Sequence, residues 1–193
     1  MPRNKEFNEA EVLDKAIEIF WDQGYNATSY SDLVKHMGIN RASIYNTYGD
    51  KKALFFKALQ QYKKKNHDFL KKSLLRNLPI KQKMEEFFDM AIENALDDSQ
   101  TKGCFIINST TEMASCDQNI AGFVGQNRKD LVSLFTFLFQ EAQVNGEISK
   151  DKDPQALADF IYNSYNGMQV TTNVKPGRAA LENVKRLSIS ILS

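Results

Sequence analysis

Residues 28–51 read TSYSDLVKHMGINRASIYNTYGDK, two short apolar patterns set on either side of a glycine. Thr28, Ser29, Ser31 and Asp32 are short oxygen-bearing side chains suited to capping a helix N-terminus, and Leu33, Val34 and Met37 give the helix that follows only two turns. Gly38 ends it, Ile39 is apolar, and Asn40 can cap a third helix from Arg41 to Tyr48, where Ile44 and Tyr48 lie four apart and face inward together. Two short helices joined by a glycine turn, the second rich in small polar and basic groups, form the helix-turn-helix signature, whose second helix enters the major groove of DNA. The inward residues lock the pair and leave Arg41, Ala42, Ser43, Tyr45 and Asn46 free to face DNA. Arg41 can fork onto guanine O6 and N7, Asn46 can pair with adenine or a phosphate, and Ala42 permits close approach or touches a thymine methyl. Ser43 and Tyr45 offer hydroxyls to phosphates, which position the helix without reading sequence.

Outward from this unit the same helical period continues. Apolar residues recur at three and four positions almost throughout, and only 9 Gly and 4 Pro interrupt them. The pattern predicts an all-α protein of about nine helices. The first runs from about Asn8 to Gln23 and stops at Gly24; a long fourth helix opens at Lys51 and reaches about Leu75. Pro79 is placed for the first turn of helix five, and Gly103 precedes a short apolar helix from Cys104 to about Ala114. Asp117 caps a long helix to Gly146, Asp153-Pro154 opens another to about Thr172, and a last one ends near Leu192. This organisation gives a three-helix DNA-binding domain over 1–50 and a longer helical domain over 51–193.

The chain has 193 residues and a formal net charge of +1, so a preference for nucleic acid has to come from local arrangement. Charge is segregated: residues 1–76 hold 14 Lys/Arg against 9 Asp/Glu, whereas residues 77–193 hold 11 against 15. Within the fourth helix, residues 51–76 carry nine bases and the single acid Asp68. The longest apolar-leaning run, Leu131 to Phe139, is far short of the ~20 residues a membrane helix needs, and the N-terminus lacks the apolar core of a signal peptide. The expected location is the cytoplasm, with reduced thiols and no membrane contact.

No enzyme is expected. The two histidines, His36 and His67, have no catalytic partner in view; Cys104 and Cys116 stand twelve apart, not at zinc-knuckle spacing; no glycine-rich phosphate loop is present. No cofactor or metal is implied.

Residues 12–56 resemble the N-terminal DNA-binding domain of the TetR family of bacterial transcriptional regulators. The resemblance rests on Gly24-Tyr25-Asn26-Ala27-Thr28-Ser29, Asp32-Leu33, Gly38-Ile39-Asn40-Arg41-Ala42-Ser43-Ile44-Tyr45 and Tyr48-Gly49-Asp50-Lys51-Lys52-Ala53-Leu54-Phe55. It implies a homodimeric repressor released from a palindromic double-stranded DNA operator by a small molecule bound in the C-terminal domain, which makes 51–193 the ligand-binding and dimerisation domain. It also implies phosphate contacts at Thr28, Tyr45 and Lys51 and base contacts at Arg41, Ala42, Ser43 and neighbours, with Ser29, Asn46 and Thr47 completing the DNA-facing set. Ala42, Thr47 and Tyr48 depart from the glycine, histidine and phenylalanine frequent in the family, and Thr47 cannot carry histidine's charge to a phosphate.

The segment Gly103-Cys104 to Ala114 resembles a sub-group in which a Gly-Cys pair opens the sixth helix, and some such regulators sense electrophiles or oxidants through cysteine. Cys104 is therefore a candidate redox residue, although a lone cysteine on an apolar helix is usually a small buried hydrophobe. Asn108, Thr111, Asn127, Tyr165, Asn166 and Gln169 interrupt apolar faces as the polar groups of a ligand pocket do, and the 13 Phe and 7 Tyr favour an apolar or aromatic ligand. Satisfied core hydrogen bonds are the equal alternative. Stripes of Phe160, Ile161, Tyr165 and Met168 and of Leu181, Val184, Leu187 and Ile191 are expected to form a four-helix dimer interface. Two rival functions remain: a cysteine-based redox or electrophile-responsive regulator, and a helical protein-interaction module that does not bind DNA.

Overall fold

The computed structural model describes residues 7–97 and 102–193. Among the described residues there are nine α-helices and no strand: α1 Glu9–Ala27, α2 Tyr30–Met37, α3 Arg41–Tyr48, α4 Lys51–Leu74, α5 Ile80–Leu96, α6 Phe105–Met113, α7 Gln118–Val144, α8 Pro154–Thr171 and α9 Arg178–Ser190. Their starts follow from side-chain caps. Asn8, Ser29, Asn40, Asp50, Asp117 and Asp153 each accept a hydrogen bond from a first-turn amide, and Ser29 with Asp32 forms a reciprocal capping box. Pro79 differs slightly from expectation: it is the N-cap residue of α5 and not its first helical residue.

Two hydrophobic cores share α4. Leu54, Phe55, Ala58 and Leu59 pack with α1, α2 and α3, while Leu70 and Leu74 pack with α5, α7, α8 and α9. The 24 residues of α4 thus bridge about 36 Å, at 1.5 Å per residue. The first core continues past residue 50 in another way, because Phe105, Ile106 and Met113 of α6 and Ile120 of α7 are buried in it. Phe55 at the centre meets Phe20, Tyr25 and Phe105 edge to face, with centroids 5.0–5.5 Å apart.

Part of the basic run that begins with α4 is paired with carboxylates of other elements. Lys63 pairs with Asp130 of α7, Lys65 with Asp14 of α1, Lys52 with Asp117 and Arg76 with Glu86. Two of these four pairs bind α4 to α7 or its cap, so the charge segregation seen along the chain is partly internal neutralisation.

The expected dimer stripes each divide between two faces. Ile161, Met168 and Leu181 are core residues, Tyr165 and Ile191 are partly buried, and only Phe160, Val184 and Leu187 are left out, at 48%, 37% and 56% exposure. The reason is that α8 packs on α7 and α5 and α9 packs on α5, which takes three of the four residues of the first stripe and two of the four of the second. A helix laid across a core carries apolar residues on its inner face whether or not it has a partner outside.

Candidate DNA interface and ligand cavity

Ile44 and Tyr48 are buried, at 0% and 4% exposure, and fix α3 against the first core. Arg41, Ala42, Tyr45 and Asn46 consequently stand exposed on its outer face, Tyr45 at 42%, while Ser43 and Thr47 are half-buried at the margins. Tyr30 and Tyr45 stack with centroids 5.3 Å apart, and the Arg41 guanidinium lies over Tyr30 at 4.3 Å. Hydrogen bonding to Tyr30 and to Arg41 pulls the Tyr45 hydroxyl's pKa down, and the same bond raises that of Arg41. The cation is held in a preset direction at the helix start instead of sweeping free through solvent.

Lys51 is placed at the mouth of this face by an amide that donates to the Tyr30 hydroxyl, 2.9 Å away. Its ammonium sits over the Tyr25 ring at 4.5 Å, where burial lowers its pKa. Ser29 caps α2 and donates to Asp32. Lys57, not singled out from the sequence, donates to the Thr47 carbonyl at 3.1 Å and brings a charge to the end of α3.

Thr28 requires a correction. It is fully buried, and its hydroxyl donates to the Gly24 carbonyl at 2.5 Å, so it cannot reach a phosphate from this position. It holds a bend. Gly24 sits at φ 81 within α1, and the turn Tyr25–Ala27 beyond the bend exposes fresh amides. Glu112 of α6 fills them: its carboxylate accepts from Tyr25 N at 2.9 Å and from Asn26 N at 2.8 Å. A Cβ on Gly24 would come within 2.8 Å of that carboxylate. Trp21 makes a second tie, donating from Nε1 to the carbonyls of Lys102 and Gly103, both at 3.1 Å.

A cavity of about 230 Å³ lies between α4, α5, α7 and α8, reaching Trp21 of α1 and the start of α6. Asn127, Tyr165, Asn166 and Gln169 all line it, as the sequence suggested. Two expected lining residues do not. Asn108 lies in a separate cleft beside Glu112 with its amide donating to the Lys102 carbonyl, and Thr111 is exposed with its hydroxyl donating to the Asn108 carbonyl. Each donates to a backbone carbonyl within or next to α6, and neither faces the cavity. Residues missed in the sequence include Trp21 on α1 and Tyr62 and His67 on α4; the two helices bring them together only after folding. Burial, with Lys71 and Lys63 nearby, lowers the His67 pKa. His36 forms a surface pair with Glu18 at 3.1 Å.

Cys104 is the N-cap residue of α6 and also lines the cavity. The Tyr62 hydroxyl donates to its Sγ at 3.8 Å, and burial pushes the thiol's pKa up, which keeps it protonated and weakly reactive. Cys116 is exposed. Among the described residues no group of three or more His, Cys, Asp or Glu could hold a metal, and no helix is long and apolar enough to cross a membrane.

Residues 12–58 match the model for bacterial regulatory proteins of the tetR family, and residues 81–187 match that for a tetracyclin repressor-like C-terminal domain. The chain is 33% identical, over all 193 residues and the whole of both chains, to the uncharacterized HTH-type transcriptional regulator YezE of Bacillus subtilis (strain 168). It is 30% identical over 174 residues to the HTH-type transcriptional repressor ComR of Escherichia coli (strain K12), covering 88% of this chain and 81% of that one. In fold it is similar to a cysteine mutant of the TetR family transcriptional regulator CifR complexed with 26 bp operator DNA, with a TM-score of 0.87 at 21% identity, covering 99% and 100% of the two chains.

Proposed function

This chain belongs to the TetR family of bacterial transcriptional regulators, and on that premise we propose that it is a cytoplasmic homodimeric repressor that leaves its operator when a small molecule occupies the α4–α8 cavity. DNA is read by α3. Arg41, with Ala42, Ser43 and Asn46, faces base edges, and Tyr45, Ser29, Thr47 and Lys51 flank them toward phosphates. Two such helices in a symmetric dimer call for a pseudo-palindromic operator with half-sites a helical turn, or a multiple of it, apart.

The observation that carries the switch is the path from cavity to recognition unit. Trp21 both lines the cavity and holds the carbonyls that open α6, and α6 carries Glu112, whose carboxylate caps the turn leading into α2. A ligand that displaces the start of α6 therefore moves the clamp on the helix-turn-helix. Ligand and operator must weaken each other by the same factor, about 5 to 150-fold in coupled systems.

The cysteine-based reading is weaker because Cys104 is held protonated beside Tyr62. Titration of operator complexes, in a mobility shift, with candidate ligands and separately with a thiol reagent distinguishes the two. Release by ligands in both wild type and Cys104→Ser supports the proposal; release by the thiol reagent in wild type alone overturns it.

A further inference from the structure

One polar group of the cavity stands apart from the rest. Asn127 and Gln169 at the cavity wall are 9% and 6% exposed, and the Asn166 Oδ1 is fully buried with no hydrogen-bond partner among the described residues. Buried polar groups are nearly always paired, and an unpaired one costs the full desolvation of that group. The Asn166 Oδ1 is such a group, and its residue lines the cavity.

Charge narrows the class of ligand that can pair with it. The cations at the wall are Lys63, already paired with Asp130 at 2.6 Å, and His67, whose pKa is lowered. The other titratable groups facing the space are tyrosines and Cys104, and burial raises the pKa of Tyr62, Tyr165 and Cys104, keeping them neutral. An ionised ligand would be buried with no counter-charge to spare. Size narrows it further, since an apolar cavity of about 150 Å³ holds benzene, and the 230 Å³ here holds a ring plus one small substituent. Asn166 Oδ1 needs a donor, whereas the protonated Tyr165 hydroxyl can donate to an acceptor.

We infer that the cavity takes an uncharged ring compound bearing a carboxamide-type donor and acceptor, with the ring against Leu70, Met90 and Leu131 and the amide group facing Asn166 and Tyr165. This rests on the cavity being the effector site.

Calorimetric titration of the full chain without DNA tests it with three isosteric probes. Benzamide should bind one per chain. Acetophenone, which keeps the ring and carbonyl but has no N–H, should bind at least about tenfold more weakly, and benzoate about a hundredfold. Asn166→Leu should bring benzamide down to the level of acetophenone and leave acetophenone unchanged. Equal affinity for benzamide and acetophenone, binding of benzoate as tight as that of benzamide, or no binding of benzamide overturns the inference; should Asn166→Leu not fold, the wild-type panel still decides. A parallel mobility shift separates the two layers. Benzamide binding without operator release leaves this inference standing and overturns the effector reading, whereas release by other compounds with benzamide excluded does the reverse.

Discussion

Replacing Glu112 with alanine should loosen the joint between the two cores. Its carboxylate accepts two backbone hydrogen bonds, from Tyr25 N at 2.9 Å and Asn26 N at 2.8 Å, and bonds to a charged acceptor contribute about 1.5–3 kcal/mol each when shielded. Shielding here is uneven. Tyr25 is half-buried, so its amide would be left poorly solvated, whereas Asn26 is exposed and water can replace the carboxylate at little cost. The net loss is therefore about 2 kcal/mol, which for a chain of this size lowers Tm by about 4–8 °C. Glu112→Gln keeps one acceptor oxygen but places an N–H2 against the other amide, and should fall between wild type and alanine at about 1 kcal/mol. Thermal melts of the three proteins measure this directly. The second readout is coupling: with the clamp gone, the factor by which a releasing compound weakens operator binding should shrink toward one. Unchanged Tm in Glu112→Ala, or undiminished coupling in a folded Glu112→Ala protein, would refute the role given to this residue.

Gly103 sits at φ 63 with a hypothetical Cβ only 2.6 Å from the Gln169 carbonyl, so Gly103→Ala should destabilise by about 2–4 kcal/mol in urea melts, far more than Gly122→Ala, whose added Cβ meets nothing within 4 Å. Leu187→Glu, at an exposed apolar position on α9, should shift light-scattering mass from dimer toward monomer at micromolar concentration without altering the helical CD signal. Burial raises the pKa of Tyr48 to about 12, and its hydroxyl donates to the Glu9 carbonyl at 2.8 Å. Because the unfolded phenol ionises near its usual 10 while the folded one keeps its proton, this contribution is intact below pH 10 and lost as pH climbs from 10 toward 12. Tyrosinate absorbance should accordingly rise later in Tyr48-containing native protein than in Tyr48→Phe after correction for one phenol; coincident curves would contradict it.

Much of this architecture is written in local chemistry. The caps at Asn40, Asp117 and Asp153 and the four-residue spacing of Ile44 and Tyr48 could be read because a helix start and an inward face depend on residues only a few positions apart. Four of the six expected cavity residues lie on α7 and α8, where a polar side chain interrupts an otherwise apolar inner face. Asn108 and Thr111 break apolar runs in the same manner, yet they spend their hydrogen bonds on carbonyls within six residues, and composition cannot tell a self-satisfied amide from an open one. Thr28 misled for the same reason: its hydroxyl turns back on Gly24. Glu112 and Trp21 act across more than 80 residues of chain, a separation at which no periodicity carries information. The stripes expected at a dimer interface divide between core and surface because α8 and α9 bury an inner apolar face of their own.

The central claim is that α3 reads a defined operator and that Arg41 is among the residues that read it. Sequencing the genomic fragments retained by wild type and by Arg41→Ala tests it most directly. The account predicts that wild type enriches a discrete pseudo-palindrome and that Arg41→Ala loses about 1–3 kcal/mol on that site, with relaxed choice at one base of each half. Enrichment of no common site by wild type, or of the same site with undiminished selectivity by Arg41→Ala, would contradict it.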